Sequence, residues 1–126
     1  MGDTVFHEFN DFVWSGVTKI DYKPFGYGPE TFNDTTIQNL IEKGLGTNFH
    51  LRYFECKVGG FSTLEKHEHI HVVIIVRGKG KIIVNDDIFS VKPMDVIVIP
   101  NNAAQQLINI GEEPFGFFCI VDSKID

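Results

Sequence analysis

The distribution of apolar residues along the chain changes at about Phe49. From there onward, short runs rich in β-branched and aromatic residues alternate with turn residues at nearly regular spacing. This pattern is typical of strands in a sandwich, jelly roll or barrel, and no segment after residue 48 shows sustained helical periodicity. The sequence therefore predicts an all-β fold. The seven predicted strands are Phe49–Lys57, His71–Val76, Lys81–Val84, Ile88–Val91, Asp95–Ile99, Gln105–Asn109 and Phe115–Val121.

The first 48 residues are less regular. An arm that packs across a sheet would explain the spacing of four aromatic residues, Phe6, Phe9, Phe12 and Trp14. Residues 34–45 allow two interpretations, a short capped helix or a strand that leads into a hairpin at Gly44. The β-branched residues at positions 35–37 favour the strand, because branching at Cβ restricts side-chain rotation in a helix.

Composition limits the choice of partners. The chain has 126 residues, of which 43% are hydrophobic and 22% charged, close to the globular average. This length suits one domain and leaves little room for a second core. The formal net charge of −6 argues against a nucleic-acid backbone or an anionic membrane surface as the main partner. We therefore expect a small-molecule substrate or ligand, with no nucleic acid and no membrane partner.

The cysteines bear on the cellular compartment. Cys56 and Cys119 each lie within an apolar strand-like run, which favours two buried thiols over a disulfide. The N-terminal residues show no apolar signal region, and no apolar run reaches membrane-spanning length. The location we expect is the cytoplasm.

Candidate metal chemistry is concentrated in one short segment. Three of the five histidines fall within five residues, at His67, His69 and His71, whereas His7 and His50 have no such neighbours. On a strand these three side chains would point the same way, with the intervening residues opposite. Several converging imidazoles form a site that Zn, Fe, Ni or Cu ions occupy readily. The alternative is an exposed, histidine-rich strand end, but the cluster leads directly into a Val/Ile run that must be buried.

Strand geometry limits this prediction. On a straight strand the Cα atoms of His67 and His71 would lie about 13 Å apart, nearly beyond the reach of two side chains to one ion. We therefore predict a bend or bulge near Ile70 that brings His71 round. If the strand is straight, one of the three histidines is not a ligand.

Two series of residues have a spacing that resembles known motifs. The first series is Gly60, His67, Glu68, His69, His71 and Gly78. The second series is Met94, Asp95, Pro100, Asn102, Gln105 and Asn109. Together they resemble the two motifs of the cupin superfamily, as a small single-domain member with an HxHxH metal motif, over about residues 48–122. The resemblance implies a double-stranded β-helix (a jelly-roll barrel) with a metal in its mouth, commonly assembled as a homodimer. The single domain would span residues 1–126, with an N-terminal arm and first strands over 1–47 and the barrel core over 48–122.

The chain departs from the family pattern at several positions. The family's glutamate falls at His71, its later histidine falls at Gln105, and two usual glycines are Met94 and Asn102. Asn tolerates the left-handed conformation that the second glycine serves. Carried over position by position, the resemblance implies one divalent transition metal (Fe, Mn, Ni, Co or Zn) held by His67, His69, His71 and Gln105. Gln105 would either bind the ion through its carbonyl oxygen or hydrogen-bond a metal-bound water, unless the site is degraded.

Other polar residues near the cluster are weaker candidates. Arg52 and Arg77 could each clamp an anionic substrate, although an arginine on a strand is more often a salt-bridge partner at the surface. Glu65 could serve as a general base, while strand alternation places Glu68 opposite the histidines. Tyr53 could supply a hydroxyl to the site, or it could be a core aromatic residue. No catalytic residue is assigned from the sequence.

Two functions remain open. The first is a metal-dependent enzyme that uses the cation as a Lewis acid on a small oxygen-rich metabolite, as an isomerase, lyase or dioxygenase. The chain also resembles a cupin group, and one branch of that group acts on methylthio sugar phosphates in sulfur salvage. The phosphate group of such a substrate would be an anion that Arg52 could bind. The second is a non-catalytic barrel, with or without metal, that binds or senses a small ligand.

Overall fold

The computed structural model describes residues 4–22, 33–42, 46–62, 65–66 and 69–122, with the backbone alone at 33, 65 and 66. The described residues form twelve β-strands and no helix. No helix long and apolar enough to cross a membrane occurs in these ranges. The strands are β1 (Phe9–Asn10), β2 (Val13–Trp14), β3 (Lys19–Asp21), β4 (Asn33–Ile41), β5 (Phe49–Phe61), β6 (Glu65–Lys66), β7 (His71–Arg77), β8 (Gly80–Val84), β9 (Asp87–Val91), β10 (Val96–Ile99), β11 (Ala104–Asn109) and β12 (Phe115–Asp122).

The strands form one curled antiparallel sheet in addition to the small β1–β2 hairpin. Its strand order is β10-β7-β12-β5-β11-β8-β9, and β4 extends it by pairing with both β3 and β5. The all-β prediction is confirmed, and each of the seven predicted runs is a strand. The strand interpretation of the segment that begins at residue 34 is also confirmed, since β4 covers Asn33–Ile41.

The strand β5 is longer than the sequence predicted. The predicted strand ends at Lys57, yet β5 continues through Gly59 and Gly60 to Phe61. Gly59 has a φ of 80°, a conformation that glycine adopts at little cost and that redirects the chain without ending it. The first part of β5 pairs with β4 and β12, and Phe61 pairs with Ile108 of β11. One strand therefore contributes to both halves of the curled sheet.

Side chains of β5 alternate between two apolar clusters. Phe54 and Cys56 belong to the larger interior cluster, whereas Tyr53 belongs to a smaller cluster on the outer face with Trp14 and Leu40. The interior cluster also contains residues from β4, β7, β8, β11 and β12. Both cysteines are buried free thiols, as predicted.

The N-terminal arm covers the outer face of the sheet. The ring centroid of Trp14 lies 4.9 Å from that of Tyr53, and the Phe12 ring stacks on Tyr53 at 6.0 Å. The Gln38 side chain fixes the arm, because its amide nitrogen donates to the Phe12 carbonyl at 2.9 Å. The predicted arm is present, but Phe6 is 77% exposed and does not act as an anchor.

The two positions that the family pattern assigns to glycine both have left-handed backbone. Met94 has a φ of 76° and Asn102 a φ of 64°. The chain therefore keeps the turn geometry of the family with side chains that fit it less well, Met94 least of all.

Candidate metal-binding site

The interior face of the sheet changes from apolar to polar toward one end. Strand pairing aligns interior residues in rows that run across neighbouring strands. One row in the middle of the sheet is entirely apolar and consists of Ile37, Phe54, Phe117 and Ile75. The next row toward the end carries Asn39, Arg52, Cys119 and Val73. Polar side chains in a barrel interior are costly unless they are hydrogen-bonded or bind a ligand, so this end of the barrel is the candidate functional site.

His71 begins β7 at this polar end. It pairs with Ile99 of β10, and only 7% of its surface is exposed. Since Val73 and Ile75 follow it on the interior face, alternation turns the His71 imidazole inward as well.

His69 reaches the same point by a bend in the chain. The residue lies in a bend and Ile70 lies outside any strand, so the bend predicted near Ile70 is confirmed. His69 is not part of the strand that contains His71, and the strand alternation assumed from the sequence does not apply to it. The two imidazoles nevertheless meet, with ring centroids 5.0 Å apart and ring planes 23° from parallel.

The two facing nitrogens have the separation expected of ligands on one ion. Nε2 of His69 lies 3.3 Å from Nε2 of His71. Zinc-type ions bind imidazole nitrogen at 2.0–2.1 Å, which puts two ligand nitrogens about 3.3 Å apart at a tetrahedral angle. Without an ion, one nitrogen would donate its proton to the other. The donor set and its spacing fit a divalent transition metal.

The opposite nitrogen of His71 has two further neighbours. Nδ1 lies 3.3 Å from the side-chain amide of Gln105 and 3.4 Å from the thiol sulfur of Cys119. Gln105 pairs with Val84 of β8 and is 5% exposed, so the opposite half of the barrel presents it to His71. Nε2 of the Gln105 amide can only donate, whereas the Cys119 sulfur can accept the Nδ1 N–H that a metal-bound histidine carries, which fixes its tautomer and orientation.

A small cavity adjoins His71. Its volume is about 30 Å³, enough for an ion or one or two waters. Three of its lining residues, Tyr22, Ser62 and Cys119, were not predicted from the sequence. They come close to His71 only when the strands pair, and local spacing does not reveal this. The cavity is lined by Tyr22, Phe54, Ser62, His71, Val73, Gln105, Leu107, Phe117 and Cys119.

Two sequence candidates lie on the other face of the sheet. The Tyr53 hydroxyl donates to the Glu55 carboxylate at 2.7 Å, and Arg77 donates to the same oxygen at 2.9 Å. The Arg77 guanidinium also lies 4.4 Å from the ring centroid of Phe12 in the arm. Burial, reinforced by Glu55, raises the pKa of Tyr53 above its ordinary value, and the phenol stays protonated. The structure therefore places Tyr53 and Arg77 in a packed outer cluster, away from His71.

Arg52 lies beside the site, whereas several other candidate residues fall outside the part of the chain that the structure describes. Arg52 is half-buried and pairs with Cys119 across β5 and β12. His67, Glu68 and the side chain of Glu65 lie outside the described residues, so the third predicted histidine ligand has no described position. Among the residues that are described, no three histidine, cysteine, aspartate or glutamate side chains are grouped to hold a metal.

A curled antiparallel sheet around one apolar interior is the architecture of a small double-stranded β-helix protein. The model of the Cupin domain family matches residues 52–121. The chain belongs to the cupin superfamily. The predicted membership of the cupin superfamily is confirmed, and with it the predicted double-stranded β-helix. The HxHxH metal motif stays a prediction.

Several known proteins are similar along nearly the whole chain. A cupin-2 domain from Rhodospirillum rubrum superposes with a TM-score of 0.80 at 34% identity, covering 99% of this chain and 80% of that one. A cupin 2 conserved barrel domain protein from Rhodopseudomonas palustris gives a TM-score of 0.83 at 34% identity, with 98% and 83% covered. The chain is also similar in sequence to the 1-methylthio-D-xylulose 5-phosphate methylsulfurylase of Rhodospirillum rubrum. The two are 38% identical over 98% of this chain and 78% of the relative.

Proposed function

We propose that this protein is a metal-dependent enzyme that transfers a methylsulfur group from a 1-methylthio ketose phosphate. The curated relative named for a reaction of this type is 38% identical over 98% of the chain, which carries the proposal. The candidate site supports the proposal, since the His69 imidazole and the Cys119 thiol both contact the imidazole of His71. A ketose phosphate is also a small oxygen-rich metabolite of the class expected from the sequence.

His69 and His71 would hold the divalent metal, together with His67 as the sequence predicts. An ion with neutral ligands keeps its full charge and supplies a Lewis acid for the ketose carbonyl. The Cys119 sulfur would accept the Nδ1 N–H of His71, and the Gln105 amide, packed against the same nitrogen, would help to hold the ring in the orientation that the metal requires.

Cys119 is the group on the chain suited to receive the methylsulfur. Its sulfur would form an S–S bond with the methylthio sulfur while the bond from that sulfur to C1 breaks. The electron pair of the broken bond goes to C1 and is delocalised onto the adjacent carbonyl. The Cys119 thiol gives up its proton as the S–S bond forms, and one proton adds at C1 to give a 1-deoxy ketose phosphate. The methyl disulfide left on Cys119 is removed by a second, soluble thiol, which departs as a mixed methyl disulfide and restores the Cys119 thiol.

Turnover of a synthetic 1-methylthio ketose phosphate tests this function directly. The metal-loaded protein, with a soluble thiol present, should release a 1-deoxy ketose phosphate and a mixed methyl disulfide. Replacing Cys119 by serine should abolish both products. Binding of the sugar phosphate without product, in a protein that contains metal, would overturn the proposal in favour of a non-catalytic binding barrel.

A further inference from the structure

We propose that Arg52, with His50 beside it, forms an anion subsite that receives the phosphate group of the substrate. The inference rests on the proposed function, and it assigns the recognition of the phosphate to residues that the reaction chemistry does not use. Its basis is the arrangement of the polar end of the barrel.

Both side chains belong to the interior face. His50 and Arg52 alternate along β5 with Tyr53 of the outer cluster and continue the interior series of Phe54 and Cys56. Both side chains are sheltered from bulk solvent, since His50 is buried and Arg52 is half-buried. Two residues able to donate hydrogen bonds to an anion thus lie side by side within the barrel wall.

The position of Arg52 relative to Cys119 suits the length of a sugar phosphate. The two residues are direct partners across β5 and β12, on strands about 5 Å apart. In an extended five-carbon sugar phosphate, the phosphorus lies about 7 Å from C1, given carbon–carbon bonds of about 1.5 Å. With the C1 substituent at Cys119, the long Arg52 side chain needs to reach only a little beyond the neighbouring strand to meet the phosphate.

Charge and chemistry favour a phosphate at Arg52. The sequence contains two arginines in a chain with a formal net charge of −6. Arg77 is bound to Glu55 on the outer face, whereas alternation along β5 places Arg52 on the interior face. A guanidinium presents paired donors that match two phosphate oxygens, and such charge-assisted bonds are stronger in a sheltered site.

Calorimetric titration with inorganic phosphate tests the subsite without any need for turnover. At constant ionic strength, the wild-type protein should bind phosphate at least about tenfold more tightly than Arg52→Gln, and Arg52→Lys should fall between them. Lys57→Gln removes the same charge from an exposed position of the same strand and should bind as the wild type does. Equal phosphate affinity in wild type and Arg52→Gln, with both folded by circular dichroism, would overturn the proposal.

Kinetics separate this inference from the proposed function. Arg52→Gln should raise KM for the phosphorylated ketose at least about tenfold, and it should lower kcat/KM for the phosphorylated ketose far more than for the unphosphorylated one. Arg52-dependent phosphate binding without turnover would retain the subsite and reject the proposed function. Turnover that is indifferent to Arg52→Gln would retain the function and reject the subsite.

Discussion

Nε2 of His69 and Nε2 of His71 lie 3.3 Å apart although the two residues are not on the same strand. A bend at His69 turns its ring toward a neighbour whose direction is set by β7. The pairing therefore depends on the bend as much as on the spacing of the histidines. We infer that the bend permits this segment to direct more than one imidazole at a single ion.

Replacing Gln105 by leucine should weaken metal binding without changing the ligands. The amide contacts Nδ1 of His71, the nitrogen that faces away from His69, so its loss should free the ring to reorient. We expect metal affinity to fall by about 10–100-fold. The visible spectrum of the cobalt-substituted protein should stay the same, and a changed spectrum would indicate that Gln105 itself is a ligand.

The two buried cysteines should differ in their effect on activity. Cys119 lies 3.4 Å from His71, whereas Cys56 accepts a hydrogen bond from the Thr35 hydroxyl within the core. Burial raises the pKa of the Cys56 thiol to about 11, which keeps it protonated and unreactive at neutral pH. Cys119→Ser should lower kcat by at least about a hundredfold, and Cys56→Ser should retain most of it. Similar kcat values for the two variants would exclude Cys119 as the sulfur acceptor.

Alkaline pH should destabilise the fold through Tyr53. Burial raises the pKa of its phenol above the ordinary value of 10.0, so the group ionises more readily in the unfolded chain than in the folded one. The stability it contributes is present below pH 10 and is lost as pH rises beyond it. Tyr53→Phe should cost about 0.5–1.5 kcal/mol at neutral pH and show a shallower alkaline decline in urea denaturation. Parallel declines in the two proteins would contradict this assignment.

Replacing Met94 by glycine should stabilise the protein. Met94 has a φ of 76° and is 77% exposed, so glycine relieves the backbone strain and sacrifices little packing. A gain of about 0.5–1 kcal/mol in the free energy of unfolding is expected, because strain relief exceeds the added entropy of the unfolded glycine. Met94→Ala, which keeps a Cβ atom, should show no such gain, and equal stabilisation by both variants would contradict the explanation.

The sequence predicted the elements of the fold better than the neighbours within the site. The seven strand runs, the strand at β4 and the bend near Ile70 follow from local periodicity and from strand geometry. Gln105 was assigned to the site only through the family pattern, as a metal ligand or a partner of a metal-bound water, and its contact with His71 was not predicted. The contact of Cys119 with His71 was not predicted either. It depends on the register of β12 against β7, which local sequence does not encode.

The opposite faces of β5 illustrate the same limit. Tyr53 and Arg52 are adjacent in sequence, and both were candidates for the site. The structure turns Tyr53 toward the arm and Arg52 toward the interior, because the position of the arm decides which face is outer. That position depends on contacts such as Trp14 with Tyr53, which join distant parts of the chain.

Metal content of the purified protein is the most direct test of the paired-imidazole site. We predict about one divalent transition-metal ion per chain in the wild type and its loss in both His69→Ala and His71→Ala. His7→Ala is the matched control, since His7 bonds the Ser15 carbonyl in the arm, and it should retain the ion. Stoichiometric metal that survives both replacements, or a wild-type protein that takes up none when supplied with Mn, Fe, Co, Ni or Zn, would contradict the account.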